Sequence, residues 1–339
     1  MNTKAALKKL ANIPVSLFIL AAMVCVFSMM QPKFFTVSNM MNIIVQCSTG
    51  IGIIALASFM AICSTGVDLS LGGIMSFAGI AAARVLTSNI PALEALRQSN
   101  PALLILIAIL CALAVGAAMG SLNGLILSKT NIPSFIVTLA TFKIGETMAR
   151  VLAQGSTIRV TNDLFAKIGG GSLYSIMIGK RTVGLLPYSL LIMMALYIIF
   201  AIVMRRSRYG TYIYAIGGNY DAAMLSGINV DRTRFKVFLF NGLIAALAGV
   251  VLTSRLTAAS ASNGLGLEFD GIAAAVVGGA SMSGGKSTPL RTLIGALIIA
   301  TLSNGLNMIG MDNAMQMVTP GFILIVIVAI DAARSRGKK

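Results

Sequence analysis

Histidine is absent from all 339 residues, cysteine occurs four times, and Asp and Glu together number only ten. Cys25, Cys47, Cys63 and Cys111 all fall inside apolar runs and none belongs to a CxxC pair, so a transition-metal site has almost no ligands to draw on. The thiols read as core residues. The same shortage removes the nucleophile–base pairs that a membrane-embedded enzyme requires. Charge is scarce as well, at 11% of residues against 57% hydrophobic. A mean hydropathy of +0.90 exceeds what a water-soluble domain carries without large exposed apolar patches. Lipid is therefore the solvent for most of the chain.

The charges that remain are lopsided, 26 Lys and Arg giving a net +16. They form no stripe with interleaved aromatics, which argues against a nucleic-acid partner; they cluster between apolar runs, as topology signals do. Lys4, Lys8 and Lys9 precede an apolar stretch from Ile13 to Met30 with no small-residue cleavage site after it, so a retained first span is expected. Further runs near 43–63, 69–87, 101–127, 134–153, 187–204, 235–256, 268–282, 290–309 and 315–333 bring the expected crossings to ten, the later ones short or broken by glycine. The fold class is all-α, a polytopic membrane bundle in a single domain over residues 1–339. With both termini in the cytoplasm, sixteen basic residues lie inside, nine outside and Lys143 within a span. The outer exceptions gather around a long loop at 154–186 that carries Arg159, Lys167, Lys180 and Arg181. These four are candidates for docking an acidic surface on an extracytoplasmic binding protein.

Several motifs place chemistry at membrane depth. Gly66-Val67-Asp68-Leu69-Ser70 opens the third span, and Gly266-Leu267-Glu268-Phe269-Asp270 opens the eighth with the same order of glycine, apolar, acid, apolar and polar. Five spans separate them, so the two halves run in opposite senses, as in inverted-repeat transporters. Asp68, Ser70, Glu268 and Asp270 are candidate residues of a solute path; the alternative is that they only cap broken helices. Glu268 and Asp270 are expected at the outer side. Lys143, Glu146 and Arg150 share one helix face and neutralise one another, or else mark a coupling-ion route. Ser283-Gly284-Gly285-Lys286-Ser287-Thr288 is a near-miss to a phosphate-binding loop, because Ala280 stands where that pattern needs glycine. No strand precedes it either, only a glycine-broken span, so the motif argues against a nucleotide site and reads as a cytoplasmic turn between short helices.

The cytoplasmic loop from Arg205 to Arg234 is longer than a connector requires. Asn219-Tyr220-Asp221-Ala222-Ala223 predicts a short helix that ends at Gly227. Asp221-Ala222-Ala223 with Gly227 resembles the EAA-x-x-x-G loop of ABC importer permeases. Phe34-Phe35-Thr36, Gly66 to Gly72, Gly217 to Val230 and Gly278 to Lys286 resemble, in order and spacing, the ribose/galactoside-type permeases of the carbohydrate-uptake family 2, within the branched-chain-amino-acid/ribose permease superfamily. The similarity covers nearly the whole chain.

That resemblance implies a transport subunit without enzymatic activity of its own, passing a monosaccharide or sugar-like solute inward. It implies an ATP-binding cassette subunit that holds the ATP and Mg, a periplasmic or extracellular sugar-binding protein, and a second permease copy, most simply in a homodimer in the bacterial inner membrane. No cofactor is expected in this chain. Carried over by position, Gly217, Gly218, Asn219, Asp221, Ala222, Ala223, Ser226 and Gly227 form the interface with the ATPase subunit. Asp221 departs from the family's Glu, and Phe269 stands where Leu is usual. The competing expectation is an ion-coupled secondary transporter.

Overall fold

The computed structural model describes residues 15–179, 181–285 and 287–312, with positions 315, 316, 318, 319, 321, 322, 325, 326 and 329 beyond them. Helix α1 (Val15–Met30) leads into a single span, Val37–Cys63. That span consists of α2 (Val37–Gln46), one π-helical turn (Cys47–Ile51) and α3 (Gly52–Cys63). All twelve residues of α3 are buried, which makes it the central rod of the bundle. Helix α4 (Leu71–Thr87) bends by 81° into α5 (Pro91–Ser99), where Pro91 sets the start of the second helix. Helices α6 (Pro101–Lys129) and α7 (Ser134–Ala153) follow.

The expected outer loop contains regular structure: strand β1 (Ile158–Arg159), helix α8 (Asp163–Gly170) and a hairpin of β2 (Ser175–Ile178) with β3 (Arg181–Gly184). In the hairpin Ser175 stands opposite Gly184. The chain continues through α9 (Tyr188–Arg206), α10 (Arg208–Gly218), α11 (Tyr220–Leu225) and α12 (Val230–Leu256). Strand β4 (Ala258–Ala259) pairs antiparallel with β1, and α13 (Leu267–Val277) and α14 (Pro289–Met308) complete the bundle.

Among the described residues five helices are long and apolar enough to cross a membrane: Val37–Cys63, α6, α9, α12 and α14; the bent α4–α5 pair, counted as one span, makes a sixth. Helix α7 has the length of a span but carries three charges. The expected crossing at 268–282 is instead α13, eleven residues and about 17 Å long, too short to cross unaided. The expected crossing at 315–333 falls largely outside the described residues.

The tightest seam is α6 against α12. Gly116, Gly120 and Gly124, four residues apart, present a bare stripe on which the α12 backbone at Phe235, Phe238 and Gly242 rests directly. Close backbone approach of this kind replaces the hydrophobic driving force that helices lack in lipid. The bundle has two distinct ends. Cys63, Lys129, Ser134, Gly217 and the start of α14 gather at one, and Thr87, Ala153, Tyr188 and Leu256 at the other. Helices α4 and α13 both begin in the interior between these ends. A Cβ on Gly72 would overlap the Glu268 side chain and the Gly264 carbonyl, so the two helix starts meet there. From that point α4 runs to one end, where Arg84 Nε donates to Leu152 O (2.6 Å), and α13 runs to the other, where Gly278 rests on Arg291.

Candidate functional site

The break ahead of α4 leaves residues 65–70 without a helical ladder, and α7 supplies what is missing. Ser134 Oγ accepts from Val67 N (2.8 Å), and Thr138 Oγ accepts from Leu69 N (3.0 Å). Asp68, 1% exposed, sits within this segment with both carboxylate oxygens engaged. Oδ1 accepts from Ser70 N (3.0 Å) and Ser70 Oγ (2.5 Å), and Oδ2 from Asn241 Nδ2 (3.0 Å). Asn123 Nδ2 then donates to Ser70 Oγ (2.9 Å), and Thr141 Oγ to Asn123 Oδ1 (2.7 Å). Asn241 lies eleven residues into α12, about 17 Å from its first turn, so this network sits near mid-membrane. It ties α4, α6, α7 and α12 together through neutral donors.

The start of α13 is organised differently. Glu268, 3% exposed, lies in the interior instead of at the outer side, because its helix begins against Gly72. Glu268 Oε1 accepts from Gly266 N (3.2 Å), while Glu268 Oε2 and Asp270 Oδ1 are buried with no hydrogen-bond partner among the described residues. The charged face of α7 is self-contained: Glu146 is 2.9 Å from Lys143 Nζ and 2.8 Å from Arg150 Nη2.

At the Cys63 end, α10 and α11 form a bracket. Tyr214 OH donates to Ser287 O (2.7 Å); burial pushes its phenol up to about 12, so it remains a donor at any physiological pH. Gly217 is buried, and any side chain there would overlap the Cys63 carbonyl. Asn219 Oδ1 accepts from Ala222 N (2.9 Å) and caps α11, and Ser226 Oγ donates back to Ala222 O (2.7 Å). Gly227, at φ +81°, lets Ile228 N reach Ala223 O (3.2 Å) and closes the helix. Buried Ala223 pins α11 to Ile216 and Val230. Gly218, Asn219, Asp221, Ala222, Ser226 and Gly227 are exposed. So are two residues absent from the sequence-based candidates, Met224 at 54% and Leu225 at 86%. Both are large apolar side chains left uncovered on a six-residue helix.

At the opposite end a cavity of about 990 Å³ opens between α2, the β2–β3 hairpin and the last turn of α12. Its wall includes Lys33, Ser38, Asn39, Asn42, Ser172 and Arg255. Asp68, Ser70, Glu268 and Asp270 are not part of it. Arg159 and Lys167 are exposed beyond it on β1 and α8; Arg181 lies in β3, and Lys180 is outside the described residues. Sequence reasoning missed this chamber. The available signal was the pair Asn39 and Asn42, polar residues three apart at the mouth of an apolar span.

Residues 39–328 match the model of the family described as branched-chain amino acid transport system / permease component. The ribose import permease protein RbsC of Escherichia coli K12 is 35% identical over 93% of this chain and 92% of its own length. RbsC of Bacillus subtilis strain 168 is 34% identical over 94% and 91%, and the D-allose transport system permease protein AlsC of E. coli K12 is 33% identical over the same shares. No solved structure matches. With the match spanning the bundle from α2 past α14, the chain is a multi-pass membrane protein that belongs to this ABC transporter permease family.

Proposed function

We propose that this chain is the inner-membrane permease subunit of an ATP-driven importer that carries a monosaccharide or sugar-like solute into the cytoplasm. The observation that carries the reading is α11: a short helix capped at both ends, pinned by Ala223, with Met224 and Leu225 exposed at the bundle end where α3, α10 and α14 converge. This is the form of a knob that seats in a partner's cleft, and the relatives named for ribose and allose supply the solute class. The partner is an ATP-binding cassette subunit on the cytoplasmic side, which binds and hydrolyses ATP with Mg; this chain needs no cofactor of its own. Gly217, Gly218, Asn219, Asp221, Ala222, Ala223, Ser226 and Gly227 shape and hold the contact surface. Both termini lie in the cytoplasm, and a second copy of the chain completes the pathway.

On the outer side Arg159, Lys167, Lys180 and Arg181 meet acidic residues of a sugar-binding protein. Asp68 and Ser70 clamp the helix break beside the path, and Glu268 and Asp270 bring polar atoms to its midpoint. Leu225→Asp is the direct test. The ATPase subunit should no longer co-purify with the permease, and ATP-dependent uptake into proteoliposomes should fall at least tenfold, while the permease itself stays folded. Intact association and uptake in that variant would overturn the coupling role. Uptake that persists without ATP and stops with an uncoupler would establish an ion-coupled transporter instead.

A further inference from the structure

Arg255 stands in the last turn of α12, partly buried, and lines the outer chamber. Among the described residues it forms no ion pair, and its one hydrogen bond runs from Nη1 to Thr49 Oγ (3.0 Å). A guanidinium carries five donors and keeps its charge, so most of the hydrogen-bonding capacity of this cavity-lining residue is not engaged by the described residues. Placement at a helix C-terminus accounts for only a small favourable interaction. A partly buried cation at a membrane helix end, with one neutral acceptor and no acid, is more than helix electrostatics requires.

The surroundings narrow what this cation is for. Lys33 is a second base in the same wall, Ser38, Asn42 and Ser172 supply hydroxyl and amide groups, Asn39 spends its amide donors on Phe34 O and Asn304 Oδ1, and among the described residues no acid lines the chamber. A cavity of about 990 Å³ is at the upper end of the range for small-molecule sites. Two bases and several hydroxyl and amide groups in one wall suit oxygen-rich solutes and disfavour cations. A guanidinium grips two neighbouring oxygens with parallel N–H···O bonds, a geometry that lysine cannot reproduce.

We propose that the outer chamber is a solute subsite in which Arg255 sets specificity, its fork donating to a pair of adjacent oxygens on a polyhydroxylated solute while the acid-free wall turns away cationic ones. This deepens the sugar-permease reading and rests on it. The test uses the full chain reconstituted with its ATPase subunit and binding protein, supplied with saturating D-ribose, D-allose or L-arabinose. Saturation-transfer NMR on the permease–ATPase complex without binding protein measures direct contact with each sugar and with its 2-amino-2-deoxy analogue. Arg255→Gln should lower uptake of the transported sugar at least tenfold, abolish its saturation transfer and weaken discrimination against the amino analogue. Arg255→Lys should retain that discrimination but recover only part of the uptake. Wild-type uptake and saturation transfer in Arg255→Gln would overturn the subsite. Equal losses in both variants with unchanged discrimination would also overturn it, by showing a packing role. If the wild-type complex neither transports nor contacts any of the three sugars, the sugar reading fails first and the subsite falls with it.

Discussion

The break ahead of α4 and the start of α13 carry the same five-residue pattern 200 positions apart, yet their acids are held in opposite ways. Asp68 has donors on both oxygens, drawn from Ser70 just ahead of α4 and from α12, and its network extends to α6 and α7. Glu268 and Asp270 each leave an oxygen buried without a partner. A repeat can thus reproduce a backbone device while assigning its polar atoms different tasks. The first break is a clamp among four helices. The second meets it end to end at Gly72 and keeps polar capacity in reserve near mid-membrane.

Gly72→Val attacks the point where the two breaks touch and should have the largest effect. The new side chain would collide with Glu268 and the Gly264 carbonyl, a backbone group that cannot move aside, so folded protein should be lost from the membrane fraction on size-exclusion analysis. Asp68→Ala should come next. It strands Asn241 Nδ2 and the Ser70 donors in a buried site, at about 3 kcal/mol, read as a lowered unfolding midpoint in detergent. Asp68→Asn should cost only about 1 kcal/mol, because Asn241 Oδ1 has no partner and a turned Asn241 amide can accept from the new side chain. Glu268→Gln should be milder still, within about 0.5 kcal/mol, since one oxygen keeps Gly266 N and the other had no partner to lose. A Glu268→Gln penalty as large as that of Asp68→Ala would erase the distinction between the two breaks.

Much of this arrangement is legible in the chain itself, for reasons that are local. Asn219 and Gly227 announce α11 because a cap and a left-handed terminator act within a few residues of sequence. Asp68 stands out because an acid between two apolar runs has no inexpensive place to go. What stays hidden depends on distance along the chain. Asn241 reaches Asp68 from 173 residues away, and Arg255 reaches Thr49 from 206. The outer chamber is assembled from α2, a hairpin in the expected loop and the end of α12, three pieces that no periodicity links. Helix α13 is shorter than its apolar run because Gly278 and Gly279 end it against α14.

The π-helical turn at Cys47–Ile51 gives the span Val37–Cys63 a divided character. One extra residue in the helical ladder advances the lower half by about 100° relative to the upper. The stripe of α2 that presents Asn39 and Asn42 to the chamber therefore does not continue as the stripe of α3 that receives Gly271 of α13. Tyr197, donating to Gly52 O (2.8 Å), holds that phase offset in place. The span behaves as two gears keyed to one shaft at a fixed angle. Deleting a single residue within the turn would leave both toothed faces intact and put them out of mesh.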